Sequence, residues 1–302
     1  GLMLEEPATT VVVRRPDTFG GSGPGGERAA AFARTCAASW NLPRGAAFQV
    51  EVAAAPRPHV GLGSGTQLAL AVAAGVEALT GGALRERAFD AGEALALASA
   101  AGRGRRSSVG AYGFALGGLV VEAGRLGADK VAAPAGASPL VASATLPDAW
   151  RGVLVIERGC EGLHGDAERA AFEALAPVDR GLTAELSRLA LLGLVPAALE
   201  GRFDAFAEAL GAYGRLAGVP FAPASRLLPF HDSLARLLSR LAALGFKGAA
   251  QSSWGPAVLA ICPSQDAAEG LVAALSAEGL GSTHDLAVVR LAARGARLRP
   301  ID

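Results

Sequence analysis

Apolar positions along this 302-residue chain change period several times, and each change marks an element. Leu2–Pro7 followed by Thr9–Val13 reads as extended chain, and Phe48–Ala53 as a strand. The Gly/Pro segment Gly20–Gly26 breaks every period and predicts a loop without regular structure. Helical spacing predicts helices over Glu27–Ser39, Leu68–Leu79 and Leu84–Ala101. After a Gly/Arg break at Gly102–Ser108, the stretch Gly113–Glu122 is apolar, with β character at Leu119–Val121. A strand over Val153–Ile156 follows the loop around Pro147.

The second half is helical at first, over Asp166–Leu175, Asp179–Leu192, Phe203–Leu216 and Ser233–Leu244. Lys247–Pro256 reads as a loop, Ala257–Ile261 as a strand and Asp266–Glu278 as a helix with Ser264 placed to cap it. Asp285–Leu291 is the final strand. Strands and helices segregated in this way predict an α+β protein rather than a regular βαβ winding. The expected division is into residues 1–150 and 151–302.

Composition narrows the classes. Net charge is zero, so no whole-molecule field draws in DNA or an anionic membrane, and no nucleic-acid or membrane partner is expected. The longest apolar run, Leu68–Leu79, is too short for a bilayer and carries Glu77. With no targeting segment read, a cytoplasmic protein is expected. Cys36, Cys160 and Cys262 are far apart and odd in number, which suits core residues better than a disulfide or a zinc site. The four histidines show no metal-ligand spacing, and only His59 stands beside candidate chemistry.

That chemistry centres on His59-Val60-Gly61-Leu62-Gly63-Ser64-Gly65-Thr66-Gln67-Leu68, a glycine turn between a strand and a helix. Such a turn lets backbone approach a ligand and points helix N–H groups at it, as phosphate sites require. Ser64 and Thr66 either cap the helix or contact phosphate or Mg²⁺. Arg103, Arg105 and Arg106, followed by Ser107 and Ser108, form either a phosphate clamp or a solvated loop. Gln251-Ser252-Ser253-Trp254-Gly255-Pro256 suits either a ligand loop touching a ring or sugar, or a turn anchored by its tryptophan. Glu5 and Glu6 are candidate ligands for a cation or simply solvated acids.

These motifs, in this order, resemble the GHMP kinase superfamily, whose Gly-Leu-Gly-Ser-Ser loop opens a helix and is matched by Gly61-Leu62-Gly63-Ser64-Gly65. The kinases' second motif falls on Arg106–Gly110, followed by Gly117-Gly118. Three groups that phosphoryl transfer needs are replaced: the magnesium-binding hydroxyl by Gly65, a carboxylate by Ser99 and the catalytic Asp by Gly110. The chain is more similar to a non-kinase branch, the β-ribofuranosylaminobenzene 5′-phosphate synthase family. The resemblance lies in His59–Leu68, Gly102–Ser107, Gln251–Pro256, Leu2–Pro7 and Gly162–Gly165. Members carry a further N-terminal strand ahead of the segment matching Leu2–Pro7.

The resemblance implies a GHMP-kinase-like two-domain fold, with an N-terminal α/β domain holding the phosphate loop and a C-terminal ferredoxin-like α+β domain. It implies an enzyme that joins phosphoribosyl pyrophosphate to 4-aminobenzoate or 4-hydroxybenzoate, releasing CO₂ and pyrophosphate, with Mg²⁺ and as a homodimer. The implied substrate contacts are Gly61, Gly63, Ser64, Gly65, Thr66, Gln67, Arg103, Arg105, Arg106, Ser107, Gln251, Ser252, Ser253, Trp254, Gly255 and Glu6. Arg106 and Ser108 are the catalytic candidates, and Ser64 and Thr66 the metal candidates. An ATP-dependent small-molecule kinase and a silent ligand-binding relative remain the competing readings.

Overall fold

Helix and strand propensities resolve into two compact units in the computed structural model, which describes residues 1–81, 84–104, 106–124 and 136–301. The first unit comprises Gly1–Arg57, Gly63–Ser143 and Ala292–Asp302; the second comprises Pro58–Leu62 and Ala144–Leu291.

In the first unit, strand β1 (Thr10–Arg14) runs antiparallel to β3 (Gln49–Ala54), and β2 (Gly20–Ser22) runs parallel to β3 on its other side. Parallel neighbours need a crossover, and helix α1 (Gly26–Ser39) supplies it. The segment Gly20–Gly26, expected as a loop, therefore contains β2 and the start of α1. Its glycines allow a sharp strand-to-helix turn that composition alone does not reveal.

Helix α2 (Ser64–Thr80) begins directly at the glycine turn, a full turn before the expected Leu68. It is mostly apolar, and Leu70, Val72, Ala73 and Val76 are fully enclosed. Around it pack α1, β1, α3 (Ala91–Ala100) and α4 (Val109–Leu116). The helix expected over Leu84–Ala101 starts only at Ala91, because Asp90 caps it in a reciprocal box with Glu93. Arg87, ahead of that cap, pairs as an isolated bridge with Leu298. In the apolar stretch Gly113–Glu122, α4 ends at Leu116, and the β character read at Leu119–Val121 is strand β4 (Leu119–Glu122), which pairs with β5 (Leu140–Ala144).

The second unit is built on a four-stranded sheet. Its first strand is β6 (Arg151–Glu157). Helices α5 (Gly165–Glu173) and α6 (Arg180–Arg188) follow, then a π turn (Leu189–Leu194), α7 (Val195–Leu199) and α8 (Phe203–Gly218). A short α9 (Ala222–Ser225) and α10 (His231–Ala243) lead to β7 (Ala249–Gln251), inside the segment expected as loop. Strand β8 (Ala257–Cys262), α11 (Gln265–Ala277) and β9 (His284–Arg290) complete it. Ser264 caps α11 by accepting from the Ala267 N–H at 3.2 Å.

The strand order β7-β8-β6-β9, antiparallel throughout, is the ferredoxin-like arrangement implied by the resemblance. Val153 and Val155 of β6 and Val258, Ala260 and Cys262 of β8 pack against Leu234, Leu237 and Leu241 of α10 and Leu271 and Leu275 of α11. The run Arg180–Leu199 is long and apolar enough to cross a membrane by length and composition alone. Within it Leu189, Ala190, Leu194, Ala197 and Ala198 are buried, while Leu191, Leu192 and Leu199 are exposed.

Leu241 is wholly enclosed at the centre of the α10 face. Leu241→Ala is expected to lower unfolding stability by about 2–5 kcal/mol, read from urea denaturation followed by circular dichroism.

Candidate phosphate-binding site

The glycine motif is shared between the two units. In the second unit, Pro58–Leu62 is pinned by backbone and hydroxyl bonds. Val60 carbonyl accepts from Ala257 N–H at 3.2 Å, and His59 carbonyl from Gly162 N–H at 2.7 Å. Ser252 Oγ donates to the Gly61 carbonyl at 2.7 Å. Gly61 has φ 98°, and a Cβ there would overlap the Ser252 carbonyl oxygen. Only glycine satisfies both conditions.

The Gln251–Pro256 segment is thus a turn that grips the motif. Gln251 Nε2 donates back to the Gly255 carbonyl at 3.0 Å, and Ser253 adopts φ 54°. Trp254 is buried edge-on between Phe172 and Phe221, at centroid distances of 5.6 and 4.9 Å. Of the two readings left open for Trp254, the structure shows the packing anchor. His59, held at φ 59°, stacks face-on against His164 at 3.8 Å, with an interplanar angle of 24°. Sequence reasoning singled out His59 without its partner, since the two histidines lie 105 positions apart.

In the first unit, Gly63 (φ 66°) precedes α2, and no side chain caps the helix. The capping reading for Ser64 and Thr66 is therefore not realised. Thr66 and Gln67 N–H groups donate to the Gly63 carbonyl, while those of Ser64 and Gly65, at the first turn, lie ahead of any intrahelical acceptor. Arg103 Nη2 donates to Thr66 Oγ1 at 3.2 Å, which brings the second motif onto the first. Gln67 Nε2 donates to the Gly110 carbonyl at 3.0 Å and ties α2 to the start of α4.

The other residues of the arginine loop diverge. Arg106 and Ser107 are exposed, and Ser107 Oγ accepts from Val109 N–H at 3.2 Å. Arg105 lies outside the described residues. Ser108 is fully buried: its Oγ accepts from Ser138 N–H at 3.0 Å, and its own N–H donates to Glu122 at 2.7 Å. That hydroxyl is committed to holding the segment. Glu6 is exposed on the stretch before β1.

Sequence reasoning missed Arg28, in the first turn of α1. A Cβ on Gly65 would lie 2.5 Å from Arg28 Nη2 and 3.4 Å from Arg103 Nη2, so two guanidiniums converge on the start of α2. The available signal was that Gly20–Gly26 is itself a glycine turn opening a helix. Magnesium takes oxygen donors, chiefly carboxylates and substrate phosphates. At Ser64 and Thr66 the Thr66 hydroxyl is shared with one guanidinium and a second stands close. No group of three acidic, histidine or cysteine side chains suited to a metal occurs among the described residues. These side chains do not fit a resident metal, and they do fit an anion.

Residues 194–280 match the family model described as GHMP kinases C terminal. The chain is 33% identical over 231 residues to the beta-ribofuranosylphenol 5′-phosphate synthase of Methanothermobacter thermautotrophicus, covering 74% of this chain and 65% of that relative. It thus spans just under two thirds of that relative's length. Two solved structures share the fold. Homoserine kinase from Cytophaga hutchinsonii aligns with a TM-score of 0.60 at 15% identity, over 97% of this chain and 89% of its own. Mevalonate pyrophosphate decarboxylase from Streptococcus pyogenes aligns with a TM-score of 0.64 at 13% identity, over 96% and 86%.

Two predictions follow from this geometry. Gly61→Ala is expected to destabilise the second unit by about 1–3 kcal/mol or more, through forced positive φ and overlap with Ser252, measured by thermal unfolding. Burial pushes the Cys36 and Cys262 thiols up to about 12, so near pH 8 both stay protonated. A thiol reagent at that pH is expected to leave both unmodified in native protein and to label them once urea unfolds it.

Proposed function

The chain is a member of the GHMP kinase superfamily, and from that footing we propose that it is a decarboxylating phosphoribosyl transferase rather than a kinase. The reaction joins phosphoribosyl pyrophosphate to a para-substituted benzoate, 4-hydroxybenzoate or 4-aminobenzoate, with loss of CO₂ and pyrophosphate. The name of the relative from Methanothermobacter thermautotrophicus, a ribofuranosylphenol phosphate synthase, supports the reading and favours the hydroxylated acceptor.

The observation that carries the proposal is the contact of Arg103 with Thr66 at the uncapped first turn of α2. Cleavage of the bond from ribose C1 to the pyrophosphate oxygen leaves charge on the departing diphosphate and an oxocarbenium-like sugar. Fixed N–H donors and a guanidinium hold that charge as it develops, without reorganising. The ring carbon bearing the carboxylate then bonds to C1. Breaking the ring-to-carboxylate bond releases CO₂ and returns its electron pair to the ring, restoring aromaticity. No covalent nucleophile is needed, and none of the side chains at α2 is arranged as one. A kinase reading has less support, because Gly65 and Gly110 stand where the superfamily resemblance places a magnesium-binding hydroxyl and a catalytic acid.

The test incubates the protein with phosphoribosyl pyrophosphate, Mg²⁺ and carboxyl-labelled 4-hydroxybenzoate or 4-aminobenzoate. Labelled CO₂ is expected, with the faster acceptor identifying the para substituent; ADP formed from ATP without CO₂ would sink the proposal. Arg103→Ala is expected to cut kcat/KM by about ten- to hundredfold, the worth of a charge-assisted bond to a phosphate. Arg106→Ala, at an exposed position, is expected to show the smaller loss of the two in the same assay.

A further inference from the structure

Lys247 is the only lysine among the described residues, in a chain whose basic side chains are otherwise nearly all arginine. It stands on the rim of a cavity of about 560 Å³ that lies wholly within the second unit. Three pieces of chain enclose the space: the start of α8, residues 244–247 after α10, and the end of β8 with the start of α11. Helix α8 gives two adjacent rows at i, i+4 spacing. One row is apolar, Phe203 and Ala207, and the other acidic, Asp204 and Glu208. Leu244, Phe246 and Ile261 continue the apolar lining across the gap.

Glycines fix these walls. A Cβ on Gly248 would overlap Ile261 and the backbone of Ala207, and one on Gly211 would overlap the Lys247 carbonyl. The chain at 247–248 therefore lies directly on α8 and β8, and Ile261 N–H donates to the Gly248 carbonyl at 3.0 Å. Ala207 and Ile261 are buried at the floor, with Phe203, Leu244 and Phe246 half-buried around it. A preformed apolar hollow of this size falls in the range that small organic molecules occupy.

The rim is not neutral. Lys247 Nζ donates to Glu208 at 2.9 Å. Glu208, and from further off Asp204, hold the Lys247 ammonium above the ordinary lysine pKa. The Asp204 carboxylate has no hydrogen bond or ion pair of its own among the described residues. Two carboxylates and one ammonium thus leave one negative charge beside an apolar lining.

We propose that this cavity binds a small organic cation, a primary ammonium on an apolar body, with Asp204 as its counter-ion. The body displaces water from Phe203, Leu244 and Phe246, and the ammonium donates to the carboxylate that Lys247 leaves unbridged. Lys247 itself supplies the precedent, since an ammonium already rests against this acidic row. An anion of the same shape would meet the carboxylates and be repelled. The site asks nothing of the phosphoribosyl-transferase reading, and it is tested without turnover.

The probe is 2-phenylethylammonium chloride, titrated calorimetrically into the full chain. A dissociation constant of about 1 mM or tighter is expected. Phenylacetate, with the same body and the opposite charge, and ethylammonium, without the body, should each bind at least about tenfold more weakly. Asp204→Asn is expected to weaken binding of the probe by about tenfold, and Asp204→Glu to restore most of it. Ala267→Leu, which fills the hollow from α11, should weaken it as well. Lys247→Met removes the competing ammonium and is expected to tighten binding by about two- to fivefold. Asp232→Asn, at an exposed acid in the first turn of α10 outside the lining, is the control for general charge loss.

A wild type that does not bind the probe at millimolar concentration would overturn the site. So would phenylacetate binding as tightly as the probe, or unchanged affinity in Asp204→Asn. An equal loss in Asp232→Asn would reduce the effect to the charge of the whole surface and overturn it too.

Discussion

Burial of the apolar residues of α2 is the constraint on which the first unit depends. A helix this rich in apolar residues has little face to show to water and must be largely surrounded. Here α1, α3, α4 and β1 surround it, largely through alanines and other small residues that let backbones come close. Its position is fixed by this packing rather than by any cap. The first turn can therefore leave the Ser64 and Gly65 N–H groups without an intrahelical acceptor at little cost.

The polar contacts at that turn follow from the same packing. Gln67 reaches the Gly110 carbonyl, and Arg103 reaches Thr66, because α4 and the loop after α3 are held close to α2. Arg28 arrives because α1 packs along α2 from the first turn onward. The guanidiniums of Arg28 and Arg103 are thereby gathered at the start of α2. A preorganised set of donors of this kind acts most strongly on charge that appears during a reaction. In the second unit a different device serves the same motif: a turn around Ser252 clasps Gly61 through its carbonyl, and the buried Trp254 keeps that turn in place.

Much of this was legible in the sequence, for identifiable reasons. The α+β segregation, the strands β6, β8 and β9, and the Ser264 cap showed in local periodicity and local polar residues. The start of α2 was missed by a turn because glycine, serine and threonine weaken a helical pattern that packing later imposes. The strand β2 was hidden for the same reason among glycines. The glycine motif, a turn between a strand and a helix, was legible from its residues alone. Its division between two units was not, because Gly61 contacts Ser252, 191 positions away. Arg28 carried no motif at all; only the distance to Gly65 places it at the start of α2. Ser108 shows what a suggestive loop can conceal: its hydroxyl is fully buried and accepts from Ser138 N–H.

The final strand β9 ends the second unit, but the chain then returns to the first. Ala292 exchanges backbone bonds with Met3 and Gly118, Ala296 bonds to Phe114, and Leu298 pairs with Arg87. The unit that begins the chain is thus completed by residues translated about 150 positions after the rest of it. Domains usually fold in the order in which they emerge from the ribosome. Here the later unit can close on itself while the earlier one still waits for its last segment. During synthesis the helix that carries the glycine turn remains in an unfinished shell until the second unit is made.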